Sequence, residues 1–158
     1  MLERAGAEPT ERLVEEAYDL FWDTVLEDLV FEEGLPGMLE RLDRKFEILA
    51  IATDELPGAL EMKLSTVFHE PEEIFDDFVT PKEVDEMKPS ESFYRKILEN
   101  HGIEPGEAVM VGDSWERDLE PAQDLGMVTV LVGGSGEGGP DHRIETITDL
   151  EEVLEEIR

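Results

Sequence analysis

Cysteine is absent from the 158 residues. Disulfides and thiolate metal sites are therefore excluded. No apolar run reaches the roughly 18 residues that a membrane span needs. The opening MLERAGAEPTERL has no apolar stretch of the kind found in a signal peptide. Positive charge is scarce: 13 Lys and Arg stand against 42 Asp and Glu, a net charge of -29. A nucleic-acid ligand needs a basic footprint, and an anionic membrane surface needs the same. The expectation is a soluble, cytoplasmic protein with no nucleic-acid and no membrane partner. Such acidity suits a salt-rich cell interior, where it maintains solubility and is screened. The glutamate bias also matches heat adaptation. Both explanations stay open.

What is present is enough to fold. Hydrophobic residues make up 40% of the chain, which argues against global disorder. The organising stretch is 108–127, AVMVGDSWERDLEPAQDLGM. Ala108–Val111 reads as a buried strand. Gly112 breaks it, which leaves Asp113 at the strand's carboxyl end. Ser114 suits a helix N-cap, with Glu116 and Asp118 in the first turn. Leu119, Ala122 and Leu125 follow at helical spacing, and Gly126 suits the end of the helix. In open α/β sheets, ligands bind outside the carboxyl ends of the strands. Asp113 and Asp118 leave that lip five residues apart. Such carboxylates suit Mg²⁺, which is held by one or two of them plus phosphate and water. A simpler reading of the same stretch makes Asp113 a helix-capping residue.

Elsewhere the periodicity predicts alternating helices and strands. A helical region covers Glu3–Leu29, whose Tyr18, Phe21 and Trp22 read as core rather than as a ligand site. A turn at 34–37 precedes a short helix over Met38–Arg44. Phe46–Ala52 (FEILAIA) is the best strand in the chain. Leu56–Leu64 reads as a helix, Phe78–Thr80 as a short strand and Pro81–Pro89 as a loop. Glu91–His101 is a helix, Val128–Val132 a buried strand and Gly133–Pro140 a loop without chemistry. Ile144–Ile147 is a last strand and Asp149–Ile157 a terminal amphipathic helix. The alternation implies an α/β fold with a parallel sheet flanked by helices.

Three polar positions fall after or between strands. Thr53 ends the Phe46–Ala52 strand and can donate a hydroxyl hydrogen bond, although alone it reads as a helix N-cap. Lys88 is a point charge able to neutralise a phosphate, although alone it reads as a solvated loop lysine. Asp113 is the third.

In ILAIATDE, EMKPSESFYRKIL and GDSWERD the chain resembles the haloacid dehalogenase-like hydrolase superfamily. The resemblance covers about 35–132, with a weaker match to the family's helical cap before it. It implies a three-layer, Rossmann-like fold, with a partial cap at residues 1–33 and an α/β core at 34–158. It also implies a Mg²⁺-dependent phosphatase acting on a small phosphorylated metabolite. Thr53 and Lys88 would bind the transferring phosphoryl group, with Asp54 and Ser114 beside them as substrate-binding residues. Asp113 would ligate Mg²⁺, and Asp118 would assist the metal or order the loop. Dehalogenation ranks lower, because that branch lacks the Gly-Asp pair. The family's reaction is attack by an aspartate carboxylate on phosphorus, followed by hydrolysis of the aspartyl-phosphate.

One part of the family pattern is missing. The nucleophile motif D-x-D-x-T/V, at the end of the family's central first strand, has no counterpart. Asp19 and Asp23 stand four apart in a helical pattern, and Asp76 and Asp77 are adjacent. Asp54, the nearest spare carboxylate, is expected to point into the following helix. Without the central strand, Phe46–Ala52 and Ala108–Val111 either pair directly or leave open edges, and an open edge invites another chain. A partner chain or a second copy covering that edge is the corresponding expectation. Three explanations stand: a start that omits the N-terminal part of an enzyme, one half of a split enzyme, or a non-catalytic ligand-binding or protein-interaction domain.

Overall fold

In a computed structural model of the chain, residues 29, 31–134 and 137–157 are described. The chain divides into two compact units, Met1–Phe31 and Glu32–Arg158. The helix expected over 3–29, with Tyr18, Phe21 and Trp22, lies outside the described residues apart from Leu29.

In the second unit, helix α1 spans Leu35–Asp43. It starts earlier than its apolar spacing suggested, because Gly34 turns in with φ 92° and Pro36 is accommodated in the first turn. Strand β1 is Ala50–Ala52, shorter than the FEILAIA run. Phe46 instead closes the turn after α1, its N–H donating to the Leu42 carbonyl. The N–H of Leu49 donates to the Asp76 carboxylate at 2.8 Å, and the ladder begins only after it. Helix α2 (Pro57–Ser65) leads to strand β2 (Asp77–Val79), which pairs in parallel with β1.

The expected loop over 81–89 contains a helical turn, α3 (Pro81–Val84). Its signal is local. The Thr80 side chain accepts from the first-turn backbone, and Glu83 reaches back to the Thr80 N–H at 2.9 Å. This is a capping box with proline at the first helical position. Helix α4 is Ser92–His101, closed by Gly102 in the left-handed conformation.

Strand β3 (Val109–Gly112) is followed by a wide helical turn over Trp115–Leu119 and by helix α5 (Glu120–Asp124). Strand β4 (Val128–Val132) lies parallel to β3, with Val109 opposite Val128. Strand β5 (His142–Ile144) lies parallel to β4, and helix α6 (Leu150–Glu156) ends the fold. Strand β5 starts earlier than expected because Asp141 is fastened to β4. The Asp141 carboxylate accepts from the Thr129 N–H at 2.9 Å and from its hydroxyl at 2.8 Å. The chain must then turn at Thr146, which caps the last helical segment with Asp149.

Side chains alternate across β3. Val109 and Val111 pack with Met38, Leu42, Leu150 and Leu154 from α1 and α6. Ala108 and Met110 pack with Tyr94, Leu98 and Ala122 from α4 and α5. The result is the helix–sheet–helix sandwich that the sequence implied. Among the described residues the strands form a pair, β1–β2, and a triplet, β3–β4–β5. Strands β1 and β3 do not pair with each other, so each shows one edge without a described partner. Ala52 of β1 nevertheless packs in the same cluster as Met110.

The Asp141 clasp depends on pH. Its carboxyl lies below the 3.8 of an ordinary aspartate, chiefly because the Thr129 hydroxyl donates to it. A depressed folded-state value means that the stabilisation is complete above the unfolded value. It is lost as the pH falls through the folded one. Asp141→Asn should lower Tm by about 3–5 °C near neutral pH. The deficit should narrow as the pH falls below that of a normal carboxylate. Paired melts of the two proteins across this range check it, and an equal deficit at every pH contradicts it.

Candidate active site

The loop before α4 bridges the segments that follow β1 and β3, because Lys88 bonds to Asp54 after β1 and to Asp118 after β3. Thr53 continues the ladder beyond β1, its N–H donating to the Val79 carbonyl at 3.0 Å. Its hydroxyl accepts from the Glu55 N–H at 3.2 Å. Helix α2 is capped by Leu56 rather than by Thr53, which leaves the Thr53 hydroxyl hydrogen available to a ligand.

Lys88 is not a solvated loop lysine. Its side chain is 7% exposed, and its ammonium donates to Asp118 Oδ1 at 2.6 Å, with the Asp118 side chain 12% exposed. Both partners of this charge-assisted bond are largely removed from water. Asp54 does not point into α2. Its Oδ1 accepts the Lys88 backbone N–H at 2.8 Å, and its Oδ2 accepts from Arg117 Nη2 at 2.5 Å. The four residues close a ring: Asp54 holds Lys88 and Arg117, Lys88 holds Asp118, and Asp118 follows Arg117 in the chain.

The sequence around Gly112 explains how Asp118 reaches Lys88. Ser114 accepts from the Arg117 N–H at 3.4 Å, as an N-cap should. The helix then opens with a π-type turn, in which the Leu119 N–H donates to the Ser114 carbonyl. The wider turn carries Asp118 inward, where it is buried with Leu119. Such turns cluster at functional sites. Gly112 is obligatory here, because a Cβ on it would stand 2.7 Å from Asp118 Cβ. The glycine loop after β4 has a steric role: a Cβ on Gly138 would fall 2.0 Å from the Trp115 ring.

Two supporting residues escaped the sequence reading. Tyr94, buried in α4, donates its hydroxyl to the Asp118 carbonyl at 2.8 Å. Burial first, then the nearby Asp118 and Asp54 charges, push its phenol well above its ordinary value. The helical spacing pointed inward at Phe93, Ile97 and Leu98, and neither the burial of Tyr94 nor its partner was read from it. Arg117 is the other, and its guanidinium is held further above its already high value chiefly by the bond to Asp54. The available signal was its rarity, as one of 13 basic residues.

Asp113 sits exposed at the end of β3, and no described group hydrogen-bonds its carboxylate. Among the described residues no cluster of three or more His, Cys, Asp or Glu could hold a metal ion. Mg²⁺ does not require one, since it is held by one or two carboxylates with phosphate and water completing the octahedron. The donor set fits that pattern in part: Asp113 is free, and one oxygen of Asp118 is committed to Lys88.

The family profile described as haloacid dehalogenase-like hydrolase matches residues 2–132. The chain belongs to that family. Among its relatives, the rat (Rattus norvegicus) N-acylneuraminate-9-phosphatase is 26% identical over 162 residues, 98% of this chain and 64% of that protein. The glyceraldehyde 3-phosphate phosphatase of Methanopyrus kandleri is 25% identical over 167 residues, 99% of this chain and 70% of that protein. The crystal structure of a HAD phosphatase from Thermococcus onnurineus superposes with a TM-score of 0.73 at 30% identity, covering 87% of this chain and 64% of that one. The chain thus spans 64% of the length of the rat enzyme. No helix among the described residues is long and apolar enough to cross a membrane.

Removing one member of a largely buried ion pair strands the other. Lys88→Met should cost about 2–4 kcal/mol in urea unfolding, and Lys88→Met/Asp118→Asn less than that. A Lys88→Met protein as stable as the parent contradicts the pairing.

Proposed function

We propose that this chain carries the metal- and phosphate-binding part of a Mg²⁺-dependent phosphatase acting on a small phosphorylated metabolite in the cytoplasm. The carrying observation is the largely buried Lys88–Asp118 pair, with Asp113 exposed directly after β3 on the segment that leads to Asp118. The relatives named N-acylneuraminate-9-phosphatase and glyceraldehyde 3-phosphate phosphatase support the substrate class. In this reading residues 1–33 are part of a helical cap and 34–158 the α/β core.

Lys88 and the Thr53 hydroxyl bind the phosphoryl oxygens, and Ser114 lies beside them at the start of its helix. Asp113, with the second oxygen of Asp118, would hold Mg²⁺, which when bound offsets phosphoryl charge as a Lewis acid. Asp118 also keeps Lys88 aimed, so the lysine meets the phosphoryl group without reorganising. Hydrolysis by the family route needs a carboxylate in line with phosphorus. These 158 residues contain no two aspartates in D-x-D spacing, and Asp54, the nearest carboxylate, is committed on both oxygens. The nucleophile then enters on an extended segment seated between the β1 and β3 edges. Binding the ground state alone lowers the barrier little.

The chain alone should release no inorganic phosphate from an aryl phosphate with Mg²⁺. A mixture with a separately made segment carrying the D-x-D strand should release it. Activity of the lone chain that vanishes in Lys88→Ala contradicts the absence of a nucleophile. A folded complex with no activity favours a non-catalytic ligand-binding or interaction domain.

A further inference from the structure

We propose that Arg117 is a positioning residue of the phosphoryl site and acts through Asp54. It holds the backbone of the Lys88 loop and cancels the negative charge that Asp54 would otherwise present to an incoming phosphoryl anion. The inference rests on the phosphate-binding reading of this lip.

Asp54 follows Thr53 directly and its carboxylate reaches the Lys88 backbone, so it adjoins both residues that this reading assigns to the phosphoryl group. One of its oxygens fixes the Lys88 N–H at 2.8 Å. That bond sets where the lysine leaves the backbone, and Asp118 fixes the other end of the side chain at 2.6 Å. The second oxygen of Asp54 has one described partner, Arg117 Nη2 at 2.5 Å. The Asp54 side chain is 16% exposed, whereas Arg117 is 61% exposed. Arg117 therefore lies over the rim and neutralises Asp54 from outside.

Charge makes this contact consequential. Two cations on the lip, Lys88 and Arg117, face three carboxylates, Asp54, Asp113 and Asp118. The ammonium of Lys88 is already shared with Asp118. A divalent cation on Asp113 would bring the lip to a net positive charge only while Arg117 is in place. The chain as a whole carries a net charge of -29, so its long-range field opposes an incoming anion. Without Arg117 an unmasked carboxylate would stand next to the anion, a like-charge contact of the kind that specific sites avoid.

The test is a thermodynamic cycle read by the binding of inorganic phosphate to the whole chain. Calorimetry is run at saturating Mg²⁺ and fixed KCl. Arg117→Gln should weaken phosphate about tenfold. Arg117→Lys keeps the charge and should recover most of that loss. Arg117→Gln/Asp54→Asn should bind close to the parent, because the introduced amide carries no charge while its oxygen still accepts the Lys88 N–H. A double variant as weak as Arg117→Gln overturns the inference, as does an Arg117→Gln protein that binds phosphate unchanged while Lys88→Met does not bind. Phosphate binding indifferent to Lys88→Met, or absent from the parent, overturns the site reading beneath it.

Discussion

Lys88 and Asp118 meet 2.6 Å apart with little of either side chain in water. They lie 30 residues apart in the chain. Largely buried charges of this kind are tolerable only when paired and bonded. Their meeting therefore fixes what surrounds them. The π-type turn after Ser114 must carry Asp118 inward, Gly112 must have no side chain, and the Lys88 loop must cross the end of β1. Strands β1 and β3 share no ladder hydrogen bonds among the described residues. The side-chain ring at their carboxyl ends supplies polar links between the strand pair and the strand triplet.

The ring is supported from below. Tyr94 of α4 donates its hydroxyl to the Asp118 carbonyl, and it packs with Ala122 of α5 and Met110 of β3. One buried phenol thus joins the helix after the lysine loop to the turn that bears the aspartate. Ala52, the last residue of β1, packs in that same cluster. The apolar core and the polar lip are two ends of one arrangement, which limits how far Lys88 and Asp118 can separate.

The layered fold and most helix positions were legible because they follow from local periodicity. The buried run at 128–132 is a strand with the expected bounds. The departures have local causes: Phe46 closes the turn after α1 instead of opening β1, and Asp141 draws β5 toward β4. The capping box at Thr80 and Glu83 was present in TPKE, but the helix it starts is a single turn, too short to show periodicity. At the site, Thr53 and Asp113 were visible from their positions at strand ends, Lys88 from its loop, and all three from a family resemblance. The partners of Asp54 were not visible. Its bonds reach Lys88 and Arg117 across 34 and 63 residues, and no periodic pattern records a contact of that span. The inward swing of Asp118 was also hidden, because SWERDL reads as an ordinary α-helical first turn.

The central claim is that divalent metal and phosphate meet on this lip rather than over an acidic surface at large. Mn²⁺ in place of Mg²⁺, with inorganic phosphate present, broadens the NMR signals of nearby amides. In molar KCl, which screens diffuse attraction to a few ångströms, broadening should centre on Asp113 and Ser114. It should extend to Thr53, Asp54 and Lys88, and should disappear in Asp113→Asn. Broadening that is as strong along the acidic α6 helix, or unchanged by Asp113→Asn, would contradict the account.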